Sequence, residues 1–485
     1  MQTMHSSSIS RSPSMADNHQ PHFLFITYPV QSHINPSLHL AKHLATTTGA
    51  AVTFSTSISA HRRMFSSTPN SDKDFNDGLI TYLPFSDGLE SHIRGTMDAK
   101  EYLSVFRTNS KRNVSILVNE LFAGGRPVTC MVHTFLLNWV ADIAGEYGIP
   151  SVLFWIQAAT VFATYYHFFH GFESLIKAHS DEPSFSVCLP GLQQLQIRDL
   201  PSFLMATDSD SHYATILDSF RELFEILDRE QERVKPRVLI NTFQEWETDA
   251  LASVSTEIET IPVGHLPKEY TNSGAGYLFK EDEKKYMEWL DTKEEESVVY
   301  ISFGSLSVMK KEQIEEIVQG LKESKRPYLW VVRKDNREKE LIEIEEEEGE
   351  DVNGMMVEWC SQVRVLAHKA VGCFVTHCGW NSTLESLACG VPMVCVPQWS
   401  DQGTNAKLVE SLWGCGVRSE VDAGGVVKGE ELVKCFELIM GNGEKGVEIR
   451  TKAKMWKDKA MDAGIEGGSS DLNLKAFVDK SCGRV

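Results

Sequence analysis

The chain has few positive charges for its size. It has 47 basic and 67 acidic residues, which gives a formal net charge of −20 at neutral pH. A surface of this sign repels phosphate backbones and anionic membranes. Nucleic acid and lipid are therefore disfavoured as partners, and small molecules remain.

The sequence also lacks the cysteine spacing of a disulfide framework or a zinc site. None of its ten cysteines forms a C-x-x-C pair, which favours reduced thiols in a cytoplasmic protein. Cys373, His377 and Cys378 could bind zinc in principle, but no second ligand cluster completes such a site. We therefore predict no metal.

No apolar leader is evident at the start of the chain. Residues 1–20 are serine-rich and lack the apolar core of a secretory signal, so we interpret them as a disordered tail, with a plastid transit peptide as the alternative. The uncharged run 147–172 is long enough to span a membrane, yet it contains polar side chains throughout. Its pattern favours a buried strand over Ser151 to Trp155 and a helix from about Thr160.

A length of 485 residues exceeds what one hydrophobic core usually serves, so two domains are expected. Short apolar runs alternate with helical patterns, which is typical of parallel α/β units. We predict an α/β protein with two doubly wound parallel sheets, whose ligands bind at the carboxyl ends of the strands and between the domains. The predicted strands are 22–29, 50–57, VTCMVHTF, PSVLFWI and 236–243, followed by 297–305, 328–333, 371–377 and 392–397.

A polar, glycine-containing stretch divides these two sets of strands. The predicted boundaries are a tail over 1–20, a first domain over 21–265, a linker over 266–282, a second domain over 283–465 and a C-terminal segment over 466–485. We expect a helix over Lys311 to Ser324 and another from about Ser470 to Val478, the latter packing back on the first domain. The charge run 338–354 is interpreted as a solvated loop.

The stretch FVTHCGWNSTLESLACGVP, residues 374–392, reads as a strand, a tight turn and a short helix. Ser382 and Glu385 fit a capping box, Gly390 fits the C-terminal cap, and Pro392 stops the helix. The amino end of such a helix attracts anions, which indicates a phosphate site with His377 nearby. The alternative is that these residues only cap a helix beside a buried histidine.

The run WCSQVRVLAHKAVGCFVTHCGWNSTLESLACGVPMVCVPQWSDQ, Trp359 to Gln402, resembles the complete signature box of the plant secondary-product UDP-glycosyltransferases. The resemblance extends from PVQSHINP near the start through YISFGS to this box. The anthocyanin 5-O-glucosyltransferase and carotenoid-acid glucosyltransferase branches are the most similar. The resemblance implies the GT-B fold, with two Rossmann-like domains facing a cleft.

The resemblance also implies how UDP-glucose binds. Trp359 would stack on the uracil, the Cys360 backbone would contact the base edge, and Glu385 would bind the ribose. UDP-glucose is then a co-substrate, and neither a cofactor nor a metal is implied. The remaining donor residues implied are Gln362 for the ribose, Ser305, His377, Asn381 and Ser382 for the diphosphate, and Trp380, Asp401 and Gln402 for the sugar.

His33, in QSHINP, lies between a predicted strand and a helix that we expect Asn35 to cap and Pro36 to begin. Nearness to a helix amino end should lower its pKa and keep the imidazole neutral. The resemblance implies that His33 deprotonates the acceptor oxygen, which attacks the anomeric carbon with inversion. The alternative is that His33 only caps the turn.

The sequence departs from the family at one position. Where the family usually has an aspartate bonded to the catalytic histidine, this chain has Thr134, which fixes the imidazole tautomer but supplies no negative charge. We therefore predict an acidic acceptor, either a carboxylic acid that yields a glucose ester or a flavonoid-type phenol.

The acceptor pocket is expected around FWIQAATVF, with Trp155 and Gln157 as its exposed pair. Those aromatic residues could equally belong to the core. A UDP-sugar hydrolase or epimerase, or a non-catalytic sugar-nucleotide sensor, could use the same scaffold. The expected protein is a monomer whose partners are a UDP-sugar and a small acceptor, without an integral membrane segment.

Overall fold

A computed structural model describes residues 20–66, 74–91, 97–206, 212–265, 285–333 and 353–481. The predicted linker 266–282, the predicted tail except Gln20, and the charge run 338–354 except its last two residues lie outside these ranges. The last of these residues, Gly354, begins a strand.

The first domain is an eight-stranded sheet with helices on both faces. Its strands are parallel in the order β10-β9-β6-β5-β1-β2-β4, and β3 pairs antiparallel to β4 at one edge. β7 and β8 form a separate two-stranded ribbon. The elements are β1 His22–Ile26, α1 Gln31–Thr48, β2 Ala51–Ser55, α2 Ile58–Met64, β3 Phe75–Asn76, β4 Thr81–Tyr82, α3 Ala99–Ala123, β5 Cys130–Thr134, α4 Trp139–Tyr147, β6 Ser151–Trp155, α5 Ala159–His167, α6 Glu173–Ala178, β7 Ser186–Val187, β8 Leu195–Gln196, α7 His212–Gln231, β9 Arg237–Ile240, α8 Thr248–Ser253 and β10 Glu259–Pro262.

The second domain contains a six-stranded parallel sheet in the order β13-β12-β11-β14-β15-β16. In both domains the strand order reverses within the sheet, which is the doubly wound arrangement predicted from the alternating pattern. The elements are α9 Tyr286–Asp291, β11 Val298–Ser302, α10 Lys311–Ser324, β12 Tyr328–Val331, β13 Gly354–Val357, α11 Gln362–Leu366, β14 Val371–Thr376, α12 Trp380–Cys389, β15 Met393–Cys395, α13 Gln402–Lys407, β16 Gly416–Arg418, α14 Gly429–Met440, α15 Glu444–Gly464 and α16 Ser469–Ser481.

The central strands are buried on both faces. Every residue of β1, β5, β11 and β14 is buried, because helices cover both sides of each parallel sheet. These strands therefore appear in the sequence as continuous apolar runs. The uncharged run 147–172 is occupied by β6 and α5 as predicted, and no helix in the described ranges is both long and apolar enough to span a bilayer.

The C-terminal helix α16 lies against the first domain. The ring of Phe477 is 5.9 Å from that of Phe23, and the Asn473 side chain donates to the Pro262 carbonyl at 3.0 Å. Asn473 and Phe477 belong to the end of the chain, whereas Phe23 and Pro262 lie on the first sheet. The chain thus crosses back after completing the second domain.

Two predicted helix starts are wrong. Helix α1 begins at Gln31 rather than after Asn35, so Pro36 lies inside it, and Val30 precedes it without a side-chain cap. Helix α12 begins at Trp380, two residues before Ser382. The capping box predicted there does not form, because the Glu385 carboxylate accepts a hydrogen bond from the distant Gln362 side chain instead.

Candidate active site

A cavity of about 930 Å³ lies between the two domains. It is lined by the segments that follow β1 and β6 in the first sheet and β11, β14 and β15 in the second, so it lies at the carboxyl ends of both sets of strands. This is where doubly wound sheets bind ligands. The sequence-predicted residues that line it are His33, Gln157, Ser305, Trp359, Cys360, Gln362, His377, Trp380, Asn381, Ser382, Glu385, Asp401 and Gln402.

His33 is the third residue of α1 and is only 5% exposed. Its ring contacts Phe135 edge-on at a centroid distance of 4.6 Å and lies 5.5 Å from the Tyr28 ring. Burial lowers the pKa of His33 to about 3. The imidazole is therefore neutral at physiological pH, as predicted, but burial is the cause rather than the helix amino end.

Thr134, the last residue of β5, orients this imidazole. Its Oγ1 is 2.9 Å from His33 Nδ1 and 3.5 Å from the Tyr28 backbone nitrogen. The Tyr28 N–H can only donate, and Thr134 Oγ1 has a second lone pair for the Nδ1–H of His33. The tautomer in which Nδ1–H donates to Thr134 leaves Nε2 of His33 as the basic nitrogen.

The amino end of α12 lies on the cavity wall. His377 precedes it, and its ring fits between Gly379 and Gly304, where an added Cβ would lie 2.4 Å and 2.7 Å from Nε2. Gly304 also has φ 74°, which disfavours other residues. Burial lowers the pKa of His377 to about 4, so its ring is a neutral hydrogen-bonding group.

Gln362, Ser382 and Glu385 form one connected group. Gln362 Nε2 donates to Ser382 Oγ at 2.9 Å and to Glu385 Oε2 at 2.7 Å. The Tyr300 hydroxyl, 3.3 Å from Gln362 Oε1, donates from the other side. Burial raises the pKa of Glu385 to about 7, although the Gln362 bond acts in the opposite direction.

Asp401 and Gln402 are buried where α13 begins. Gln402 Oε1 accepts from the backbone nitrogens of Gln398 and Trp399, and Asp401 accepts from Asn405 at 2.7 Å. Burial raises the pKa of Asp401, opposed by hydrogen bonds that include one from Gln157. The Gln157 Oε1 atom is buried without a hydrogen-bond partner, and the residue lines the cavity.

Trp155 does not lie in this cavity. It is fully buried, its indole N–H donates to the Ala158 carbonyl at 3.1 Å, and its ring packs on Phe162. The prediction of an exposed Trp155–Gln157 pair is therefore wrong for Trp155, because β6 is covered on both faces. Trp380 lines the cavity, and its indole N–H is bonded to the Asn241 carbonyl of the first domain at 2.7 Å.

Arg333 and Tyr300 were missed, and Pro36 was expected only to begin the helix. Arg333 donates to the carbonyls of Gly304 and Ser307 at 2.7 and 2.9 Å and so holds the loop after β11. Tyr300 orients Gln362. Pro36 has no N–H to bond the Ser32 carbonyl four residues earlier, and that carbonyl instead accepts from Asn381 at 3.1 Å. Only Pro36, lying just after the QSHIN run, carried a visible signal.

The chain is similar in sequence to known glycosyltransferases. Residues 268–462 match the family described as UDP-glucoronosyl and UDP-glucosyl transferase. Crocetin glucosyltransferase, chloroplastic, of Gardenia jasminoides is 44% identical over 95% of this chain and 97% of its own length. Phloretin 4'-O-glucosyltransferase of Malus domestica is 45% identical over 95% of this chain and 98% of its own length.

Among solved structures, Os79 from O. sativa in complex with UDP has a TM-score of 0.80 and 30% identity over 94% of this chain and 100% of that chain. Both domains and the cleft between them thus correspond to the GT-B architecture of these enzymes. The extent of the sequence identity assigns the family as well as the fold. The chain therefore belongs to the plant UDP-glycosyltransferases and is an enzyme of that family.

Proposed function

We propose that this enzyme is an inverting glucosyltransferase that moves glucose from UDP-glucose to an oxygen of a small acidic acceptor. The observation that carries the proposal is the placement of His33. A neutral imidazole, bonded at Nδ1 to Thr134, shares one cavity with the amino end of α12. A base and an anion site that different domains contribute to one cavity suit displacement of a diphosphate.

The donor half of the cavity matches the groups of UDP-glucose. Trp359 offers a ring for the uracil, and Gln362 with Glu385 offers an amide and a carboxylate for the ribose hydroxyls. The backbone N–H groups at the start of α12, with Ser305, His377, Asn381 and Ser382, meet the diphosphate. The helix dipole and these donors stabilise the leaving UDP, and the reaction requires no metal cofactor.

The acid–base step follows from the protonation states. Nε2 of His33 accepts the proton of the acceptor, and the freed oxygen attacks the anomeric carbon as the bond to UDP breaks. Thr134 offers a dipole but no charge to the imidazolium that forms. The base is therefore weaker than one paired with a carboxylate, and the enzyme is best suited to an acceptor that already gives up its proton readily.

The acceptor is a carboxylic acid or an acidic phenol of flavonoid type. Two relatives are named for the glucosylation of crocetin and of the 4'-oxygen of phloretin. Phe135, Ile156 and Phe203 provide apolar surface in the first-domain part of the cavity, and Gln157 is a polar residue of its lining. We expect the enzyme to act as a monomer in the cytoplasm.

Incubation of the purified chain with UDP-glucose and a panel of phenols, carboxylic acids and simple alcohols tests the proposal. We expect a hexose mass gain on the acids and phenols, and in His33→Ala a loss of that gain on the phenols, which hold their proton at the assay pH. Release of UDP without acceptor modification would instead indicate a hydrolase. Tight UDP-glucose binding without turnover would indicate a sensor, and equal use of alcohols would contradict the acidic-acceptor assignment.

A further inference from the structure

The two domains touch along a short segment beside the glucose-binding residues. Residues 196–203 of the first domain run against residues 399–404 of the second, which include Asp401 and Gln402; we name this contact the clasp. Ser202 donates its backbone N–H to the Ser400 carbonyl at 2.9 Å, and its Oγ accepts from the Ser400 nitrogen at 2.7 Å. Thr404 Oγ1 donates to the Asp199 carbonyl at 2.6 Å.

An ion pair between Asp199 of the clasp and Arg418 also joins the two domains. Arg418, at the end of β16, places Nη1 2.7 Å from Asp199 Oδ1, and only 2% of the Asp199 side chain is exposed. The other Asp199 oxygen accepts from the Gln196 backbone nitrogen at 2.9 Å. Loss of one partner would leave the other charge buried and uncompensated. The pair therefore strongly favours the arrangement in which the two domains meet here.

Backbone packing in the clasp leaves no space for a larger residue. A Cβ added to Gly403 would lie 2.8 Å from the Arg198 carbonyl oxygen, a backbone atom that cannot rotate away. Ser400, next to Asp401, has φ 60°, a left-handed conformation that side-chain-bearing residues rarely adopt. Both bonds to Ser202 hold Ser400 in that conformation.

We propose that the clasp positions Asp401 and Gln402 for glucose, so that Asp199 and Arg418 are positioning residues for the sugar half of the donor. This inference rests on the proposed function, in which those two side chains bind the glucose hydroxyls. The acceptor domain then contributes to recognition of the sugar without touching it. The nucleotide half, held by Trp359 and Glu385 elsewhere in the cavity, is independent of the clasp.

Gly403→Ala, Asp199→Asn, Arg418→Met and the Asp199→Asn/Arg418→Met double variant test this role. Two quantities are measured on each: KM for UDP-glucose, and Kd for UDP alone by calorimetry. We expect KM to rise about tenfold, as when a hydrogen bond to a charged group is lost, while Kd for UDP stays within about twofold. The double variant should cost no more than either single charge variant, because both remove one interaction.

Gly403→Ala keeps both charges and favours the helix intrinsically, so it separates displacement of the clasp from loss of an ion pair. Glu437→Gln, which removes the surface partner of Arg326 within the second domain, is the matched control and should leave both constants unchanged. Equal weakening of UDP and UDP-glucose, or an unchanged KM in Gly403→Ala, would overturn the inference. Absence of glucose transfer by the unaltered protein would instead overturn the proposed function.

Discussion

Replacing Thr134 by aspartate should convert a weak base into a strong one. The Thr134 Oγ1 lies 2.9 Å from His33 Nδ1, so a carboxylate oxygen at that place would face the imidazolium directly. Opposite charges about 4 Å apart attract by about 4 kcal/mol at an effective dielectric constant of about 20. Since a pKa unit is about 1.4 kcal/mol, the pKa of His33 should rise from about 3 by up to about 3 units.

The benefit should depend on the acceptor. Proton abstraction by a positioned base contributes about 10²–10⁴ in rate, but only if the acceptor holds its proton at the assay pH. We expect kcat/KM for a simple alcohol such as benzyl alcohol to rise about 100-fold in Thr134→Asp, with little change for benzoate. The acid limb of the pH–rate profile should also shift to higher pH. In the proposed mechanism His33 must be neutral to act, and in Thr134→Asp it becomes protonated at a higher pH.

Matched variants at the same position separate charge from shape. Thr134→Asn has nearly the size of aspartate without its charge, and it should show neither the alcohol gain nor the shifted acid limb. Thr134→Val removes the hydroxyl that contacts the imidazole and should lower activity on benzyl alcohol, with little change for benzoate. Equal gains on benzyl alcohol and benzoate, or an unmoved acid limb in Thr134→Asp, would refute the role given to Thr134.

Four further outcomes are expected. Burial raises the pKa of Glu385 to about 7, and only its ionised form accepts from two ribose hydroxyls, so KM for UDP-glucose should rise about tenfold per pH unit below that value. Glu385→Gln should show a high KM that does not depend on pH. A KM of the unaltered enzyme that does not change with pH would contradict this expectation. Pro36→Ala supplies an N–H that competes with Asn381 for the Ser32 carbonyl. Thermal melting should therefore show a higher Tm, because alanine suits the helix better than proline, while KM for UDP-glucose rises severalfold. A lower Tm or an unchanged KM would contradict this expectation. Trp359→Ala should weaken UDP binding in calorimetry by about 1–3 kcal/mol if stacking holds the base, and an unchanged Kd would contradict that placement. Transfer by enzyme dialysed against a chelator should continue at its original rate, and recovery only on addition of a divalent cation would contradict the metal-free proposal.

The strands could be predicted from local sequence patterns. The run SVVYISFGS contains β11, and PSVLFWI contains β6, since continuous apolar residues bounded by turn formers suit strands buried on both faces. The same covering of both faces explains the error at Trp155. In a strand buried on both sides, neither alternation nor side-chain type shows which residue reaches a cavity, and the neighbouring Gln157 does so only after the strand has ended.

Long-range contacts explain the remaining errors. Ser382 and Glu385 have the spacing of a capping box, but Gln362 provides a bonding partner for both side chains from another helix. Such a competitor, 20 or more residues away in sequence, cannot be seen in a local pattern. The first turn of α1 has the same explanation, because Pro36 is tolerated inside the helix where the Ser32 carbonyl finds a partner in Asn381.

Several side chains that we propose bind the donor also join the two domains. Trp380 is bonded to Asn241, Asn381 to Ser32, and Asp401 to Gln157. These bonds restrict the rotamers that UDP-glucose would otherwise have to order, so they lower the entropic cost of binding. They also hold His33, one residue after Ser32, in a fixed position relative to the amino end of α12. The cleft is therefore preorganised for displacement by contacts that the domains make with each other.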